Sequence, residues 1–93
     1  MLENLRKNVD EIDEELVELL RRRADVSRKI GVIKAKAGLP ILDAEREIAV
    51  IQKLNHKAVD ENELSALVNI YRTILKESRA VQANILVGEK AAK

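Results

Sequence analysis

The chain has 93 residues, room for one hydrophobic core, and its 46% hydrophobic and 35% charged content with only three Gly and one Pro suits helices on short connections. A turn-rich all-β fold is thereby disfavoured. Seventeen basic and sixteen acidic side chains nearly cancel and Tyr71 is the sole aromatic, so there is neither a bulk pull towards nucleic acid or anionic membrane nor a base-stacking platform. Cysteine is absent, which removes disulfides, thiolate nucleophiles and Cys-based metal sites and agrees with a reducing cytoplasm. The N-terminus lacks the apolar run of a secretory signal and no stretch approaches a membrane span, so the chain reads as soluble and unprocessed.

In chain order, Leu2, Leu5, Val9, Ile12, Leu16 and Leu19 recur at steps of three and four, and Val26, Ile30, Ile33 and Ala37 resume the register. This predicts one helix over residues 2 to 37, despite Gly31, which costs about 1 kcal/mol relative to Ala inside a helix. Gly38-Leu39-Pro40 ends it, because Gly can cap a helix and Pro cannot continue one. A short second helix starts with Asp43 as N-cap, carries Ile48, Ile51 and Leu54 on one face, and ends near Lys57. After a polar break at residues 55 to 60, Asp60 and Glu63 have the spacing of a capping box. The third helix then runs through Leu64, Leu67, Tyr71, Ile74, Ser78, Val81 and Ile85 to an expected end near Gly88, with residues 89–93 a frayed tail. The whole of 1–93 reads as a single domain.

A first helix of this length spans roughly 54 Å at 1.5 Å per residue, far more than a compact globule with a radius of gyration of about 12 Å can cover. Its charge is segregated: residues 1–20 hold seven acids and two bases, and residues 21–36 hold seven bases and one acid. Antiparallel pairing of two such helices sets each acidic half beside the partner's basic half. The expected architecture is all-α, three helices per chain (long, short, long), in an intertwined helical-bundle homodimer. An extended coiled coil with a loose tail is the rival.

Several polar residues break the apolar pattern. Arg23 falls on the stripe that otherwise holds Leu, Ile and Val, so it snorkels to solvent, pairs with a carboxylate, or awaits an anionic ligand. Lys34, eleven residues on, projects from nearly the same face. Ser27 lies between them and reads as a small residue easing helix packing. On the third helix Ser78 interrupts the stripe and Gln82 follows at i+4; a serine bonded back to its own helix and a glutamine at the stripe's edge would account for them. Asp43, Arg46 and Glu47 share a face at i, i+3 and i+4, where a plain N-cap and two solvated charges are the simpler account. Arg21 and Arg22 read as a solvated helical face, and His56 stands without a second ligand at metal spacing. No Ser/His/Asp grouping, glycine-rich phosphate loop or H-E-x-x-H is present.

Taken in order, these residues resemble the all-helical (AroQ-type) chorismate mutases. The resemblance covers nearly the whole chain. It runs from Leu5-Arg6-Lys7 and Ile12-Asp13 through residues 19–23 (LLRRR), 30–34 (IGVIK) and 40–47 (PILDAERE) to Ser78 and Gln82. It implies an intertwined three-helix dimer that converts chorismate to prephenate in phenylalanine and tyrosine biosynthesis, with two sites per dimer and no metal or organic cofactor. By position, Arg23 and the Arg6 of the other subunit resemble a carboxylate-binding pair, and Lys34 and Gln82 resemble donors to the ether oxygen. Ser78 and Arg46 resemble further contacts around the carboxylates, and Asp43 and Glu47 resemble the residues that hold the substrate hydroxyl. Arg6 lies seventeen residues from Arg23, about 25 Å along the same helix, and cannot share its pocket within one chain.

Arg79, directly after Ser78, adds a charge where relatives can carry an apolar residue, and the sequence leaves open whether it points to solvent. An isochorismate pyruvate-lyase, which has a similar fold and cationic site, is the enzymatic alternative. A non-catalytic helical dimerisation or regulatory module is the other, and it would leave Arg23, Lys34 and Gln82 facing solvent. Neither nucleic acid nor membrane is an expected partner; another shikimate-pathway enzyme could associate with the chain.

Overall fold

The computed structural model describes residues 1–91, with side chains described through Ile85. They form three helices, α1 (Leu2–Ala37), α2 (Ala44–Lys57) and α3 (Glu61–Ala91), and no strand among the described residues. The all-α expectation is borne out, and the first two helices have the expected bounds. Here α3 continues past its expected end near Gly88 to Ala91. A glycine ends a helix when it turns to positive φ, and among the described residues only Gly38 does so. The residues after Gly88, Glu89, Lys90 and Ala91, are good helix formers.

Gly38 terminates α1 with φ 68° and ψ 27°, and its N–H points to the carbonyl of Lys34. The Leu39 N–H also reaches that carbonyl, at 2.9 Å, which closes the left-handed cap and turns the chain back over the end of α1. Asp43 caps α2 by accepting from the Arg46 N–H at 3.0 Å. At α3, Asp60 accepts from the Glu63 N–H at 2.8 Å, while the Glu63 carboxylate accepts from the Val59 N–H at 2.6 Å. The capping box is therefore reciprocal but shifted, its return bond falling one residue before the cap.

Packing is concentrated on α3, which lies against both α1 and α2; among the described residues the backbones of α1 and α2 do not meet. The apolar interior is small, with Leu54 (5% exposed) and Leu75 (8%) its buried members. The molecule is elongated, 58 × 27 × 14 Å with a radius of gyration of 16.7 Å, against about 12 Å for a compact chain of this length. The elongation follows from the helix lengths, α1 having 36 residues and α3 31, or about 54 and 46 Å. Leu2, Leu5, Val9, Ile12, Leu16 and Leu19 are all exposed, Ile12 by 60%. No helix among the described residues is long and apolar enough to cross a membrane.

Candidate active site

Each helix contributes to one cavity with the same periodicity. Arg23, Val26, Ser27, Ile30 and Lys34 come from α1; Asp43, Arg46, Glu47 and Val50 from the start of α2; and Leu75, Ser78, Arg79 and Gln82 from α3. Steps of three and four put each set on one helical face, and α3 brings the faces together. Ile41 closes the end, and the cavity measures about 450 Å³. Four of its side chains are cationic, Arg23, Lys34, Arg46 and Arg79, and two anionic, Asp43 and Glu47, an excess of two positive charges.

Inside it, Lys34 Nζ donates to Gln82 Oε1 at 2.8 Å and to the Ile41 carbonyl at 2.6 Å. An ammonium can only donate, so it must face the amide oxygen, and this turns the Gln82 Nε2 donors away from Lys34. Arg23 donates through Nη1 to Ser78 Oγ. That hydroxyl, having accepted from the guanidinium, keeps its own proton for another acceptor. Glu47 Oε1 accepts from Arg79 Nη1. Asp43 lines the cavity while also capping α2, so its simpler account holds alongside the site geometry.

Seven of the eight residues singled out from sequence thus share one cavity: Arg23, Lys34, Asp43, Arg46, Glu47, Ser78 and Gln82. Arg6 does not join them. It lies on the exposed half of α1, with Nη1 3.0 Å from Glu3 Oε1. The arrangement with Arg23, Lys34 and Gln82 in solvent, which a non-catalytic module would have, is not found: Gln82 is 7% exposed and the two cations are part-buried. His56 is exposed in the last turn of α2, and Arg21 and Arg22 are exposed, Arg21 lying 3.6 Å from Glu18.

Three features were not legible from spacing. Gly31 is a close-approach position, where a Cβ would lie 3.1 Å from the Gln82 Cα. The missing side chain lets α3 settle onto α1 at the level of the site. Ser27 is 5% exposed and lines the cavity. Arg79 lines the site and binds Glu47, with its side chain 34% exposed. Its position one residue after Ser78 and three before Gln82 was the available signal. Among the described residues no group of three or more His, Cys, Asp or Glu could hold a metal ion.

The sequence profile of the chorismate mutase type II family matches residues 5–83, a span that holds every residue of this cavity. The chain belongs to this family. It is 41% identical over 90 residues to a bifunctional chorismate mutase/prephenate dehydratase of Aquifex aeolicus, covering 92% of this chain and 25% of that protein. The chain therefore spans a quarter of the length of that relative. It is 27% identical over 86 residues to a chorismate mutase of Methanocaldococcus jannaschii, covering 91% of this chain and 87% of the relative. A 4-amino-4-deoxychorismate mutase of Streptomyces venezuelae is 30% identical over 89 residues, covering 95% of this chain and 86% of that protein. The family resemblance read from the sequence is borne out.

Proposed function

We propose that the chain catalyses the rearrangement of chorismate to prephenate, the step that leads towards phenylalanine and tyrosine. The observation that carries this reading is the joint presence of Arg23, Lys34, Arg46, Ser78 and Gln82 on one cavity with two excess positive charges, the complement of a dianion. The reaction is pericyclic and unimolecular. One C–O bond breaks as one C–C bond forms, with no proton transfer and no covalent intermediate, so the site needs no nucleophile or base.

Rate acceleration then comes from two sources. The arginines hold both carboxylates and so select the folded conformer in which the reacting carbons are close, an orientation effect worth up to about 7–11 kcal/mol in favourable cases. Arg23 suits this because its planar fork binds two oxygens at once. As the C–O bond lengthens, the ether oxygen gains negative charge, and Lys34 Nζ and Gln82 Nε2 donate to it. A single donor of this kind contributes about 3–4 kcal/mol to the transition state. Ser78 and Arg46 support the carboxylates, and Asp43 and Glu47 accept from the substrate hydroxyl.

In this reading the site is completed by a second copy of the chain. Antiparallel pairing of the α1 helices about their middle brings the partner's Arg6 beside the basic half that carries Arg23 and Lys34. The same pairing covers the exposed stripe from Leu2 to Leu19. The fusion to a prephenate dehydratase named in the Aquifex relative supports association with another shikimate-pathway enzyme, and a cysteine-free chain suits the cytoplasm.

The test is a continuous ultraviolet assay of chorismate loss, with the product identified by chromatography, on wild type, Arg23→Ala and Lys34→Ala. Prephenate formation that falls by at least about a hundredfold in both folded variants supports the reading. A folded wild type that leaves chorismate unchanged overturns it, and isochorismate is then the next substrate to try.

A further inference from the structure

We propose that Arg79 sets which substituent the site accepts opposite Glu47: a neutral hydroxyl, and not a cationic amine. The proposal rests on the mutase reading above and deepens it to a choice of substrate class.

Arg79 Nη1 binds Glu47 Oε1, and the two side chains are 34% and 23% exposed, so water screens the pair less than it screens fully exposed charges. Glu47 is therefore occupied on one oxygen and compensated in charge before any ligand arrives. Its Oε2 remains free to accept a hydrogen bond, which is what a hydroxyl offers. An aliphatic amine is cationic at neutral pH, as the lysine side chain is. Such a group at Oε2 would meet a carboxylate whose charge is already partly offset and a guanidinium of its own sign. Arg46, one residue before Glu47, is exposed, and water weakens its push on a cation.

The other acid of the cavity does not offset this. Asp43 is exposed and its Oδ1 is held by the Arg46 N–H as the α2 cap, so water weakens its pull on a cation. The charge count agrees: with Arg79 the cavity carries two excess positive charges and suits a dianion, and without it the excess is one. An amino-substituted analogue has lost one unit of negative charge by the same step. The fold alone does not make this choice, since a relative that aligns over 95% of this chain is named for 4-amino-4-deoxychorismate. A local residue must.

The experiment measures kcat/KM for chorismate and for 4-amino-4-deoxychorismate in wild type, Arg79→Leu, Arg79→Gln, Arg79→Lys and Glu47→Gln, with folding checked by circular dichroism. We expect wild type to favour chorismate. Arg79→Leu and Arg79→Gln should each move the ratio towards the amine by on the order of tenfold or more, while Arg79→Lys, which keeps the charge, holds it within about threefold. Glu47→Gln leaves Arg79 uncompensated and should move the ratio the other way. Should both neutral variants fail to fold, the doubly neutral Glu47→Gln/Arg79→Gln variant carries the test: against Glu47→Gln alone its ratio should move back towards the amine, and an equal ratio in the two overturns the proposal. A merely structural arginine would lower both substrates alike. An unchanged ratio in the folded neutral variants, a wild type that prefers the amine, or a shift towards the amine in Glu47→Gln overturns the proposal. Turnover of neither substrate by wild type overturns the mutase reading instead, and this proposal with it.

Discussion

Lys34 has three N–H donors and spends two of them inside the protein, on the Gln82 amide oxygen and the Ile41 carbonyl. Those contacts hold the ammonium at a fixed point in the cavity and orient the Gln82 amide, so both residues are set before a ligand arrives. Replacing Gln82 by Glu tests that arrangement. The introduced carboxyl would sit beside the Lys34 ammonium, which favours its ionised form and keeps it charged at neutral pH. A carboxylate cannot donate. We therefore expect Gln82→Glu to lose about a hundredfold in kcat at pH 7 and to regain activity only as pH falls below about 4, where the carboxyl becomes protonated and donates. A pH–rate profile of the variant beside wild type checks this, since wild type should show no such gain in acid. Periodicity alone put Arg23, Lys34, Ser78 and Gln82 on inward faces, because helical spacing is local. It could not give the Lys34–Ile41 bond or the direction of Arg79, because these depend on how Gly38 turns the chain and how α2 approaches α3.

Between elements, the controlling contact is Gly31 against Gln82. In a lone helix Gly31→Ala would be favourable by about 1 kcal/mol, and this propensity cost is what the sequence reading registered. In the fold the added Cβ would lie 3.1 Å from the Gln82 Cα, so α3 must shift by a few tenths of an ångström. The two effects oppose each other in stability and do not oppose each other in function. We expect Gly31→Ala to change Tm by less than about 5 °C while lowering kcat/KM about tenfold, through the displaced Gln82 amide. Thermal unfolding followed by steady-state kinetics on one preparation separates the two. The helix starts were legible for a simpler reason. Asp43 and Asp60 cap by contacts within three residues, so spacing alone reveals them. The end of α3 was less legible, because Gly88 carries no flag that distinguishes a helical glycine from a terminating one.

Across the whole molecule, the apolar stripe on the first half of α1 lies exposed among the described residues, as the length of the helix anticipated. Six apolar side chains about half exposed forgo roughly 1 kcal/mol each, a total comparable to the net stability of a small domain. If a second copy buries that stripe, Ile12→Asp should convert a dimer to a monomer in sedimentation analysis. On a free helical face the same substitution would be nearly neutral. In the proposed dimer, assembly and chemistry meet at a site that takes Arg23 from one chain and Arg6 from the other. The decisive measurement mixes Arg6→Ala and Arg23→Ala protein, each expected to lose at least about a hundredfold alone, allows subunits to exchange, and follows prephenate formation. A mixed dimer holds one intact site and one doubly altered site, so random exchange of equal amounts should restore about a quarter of wild-type activity. Exchange demonstrated by native mass spectrometry, with activity still at the level of the parent variants, would contradict the account.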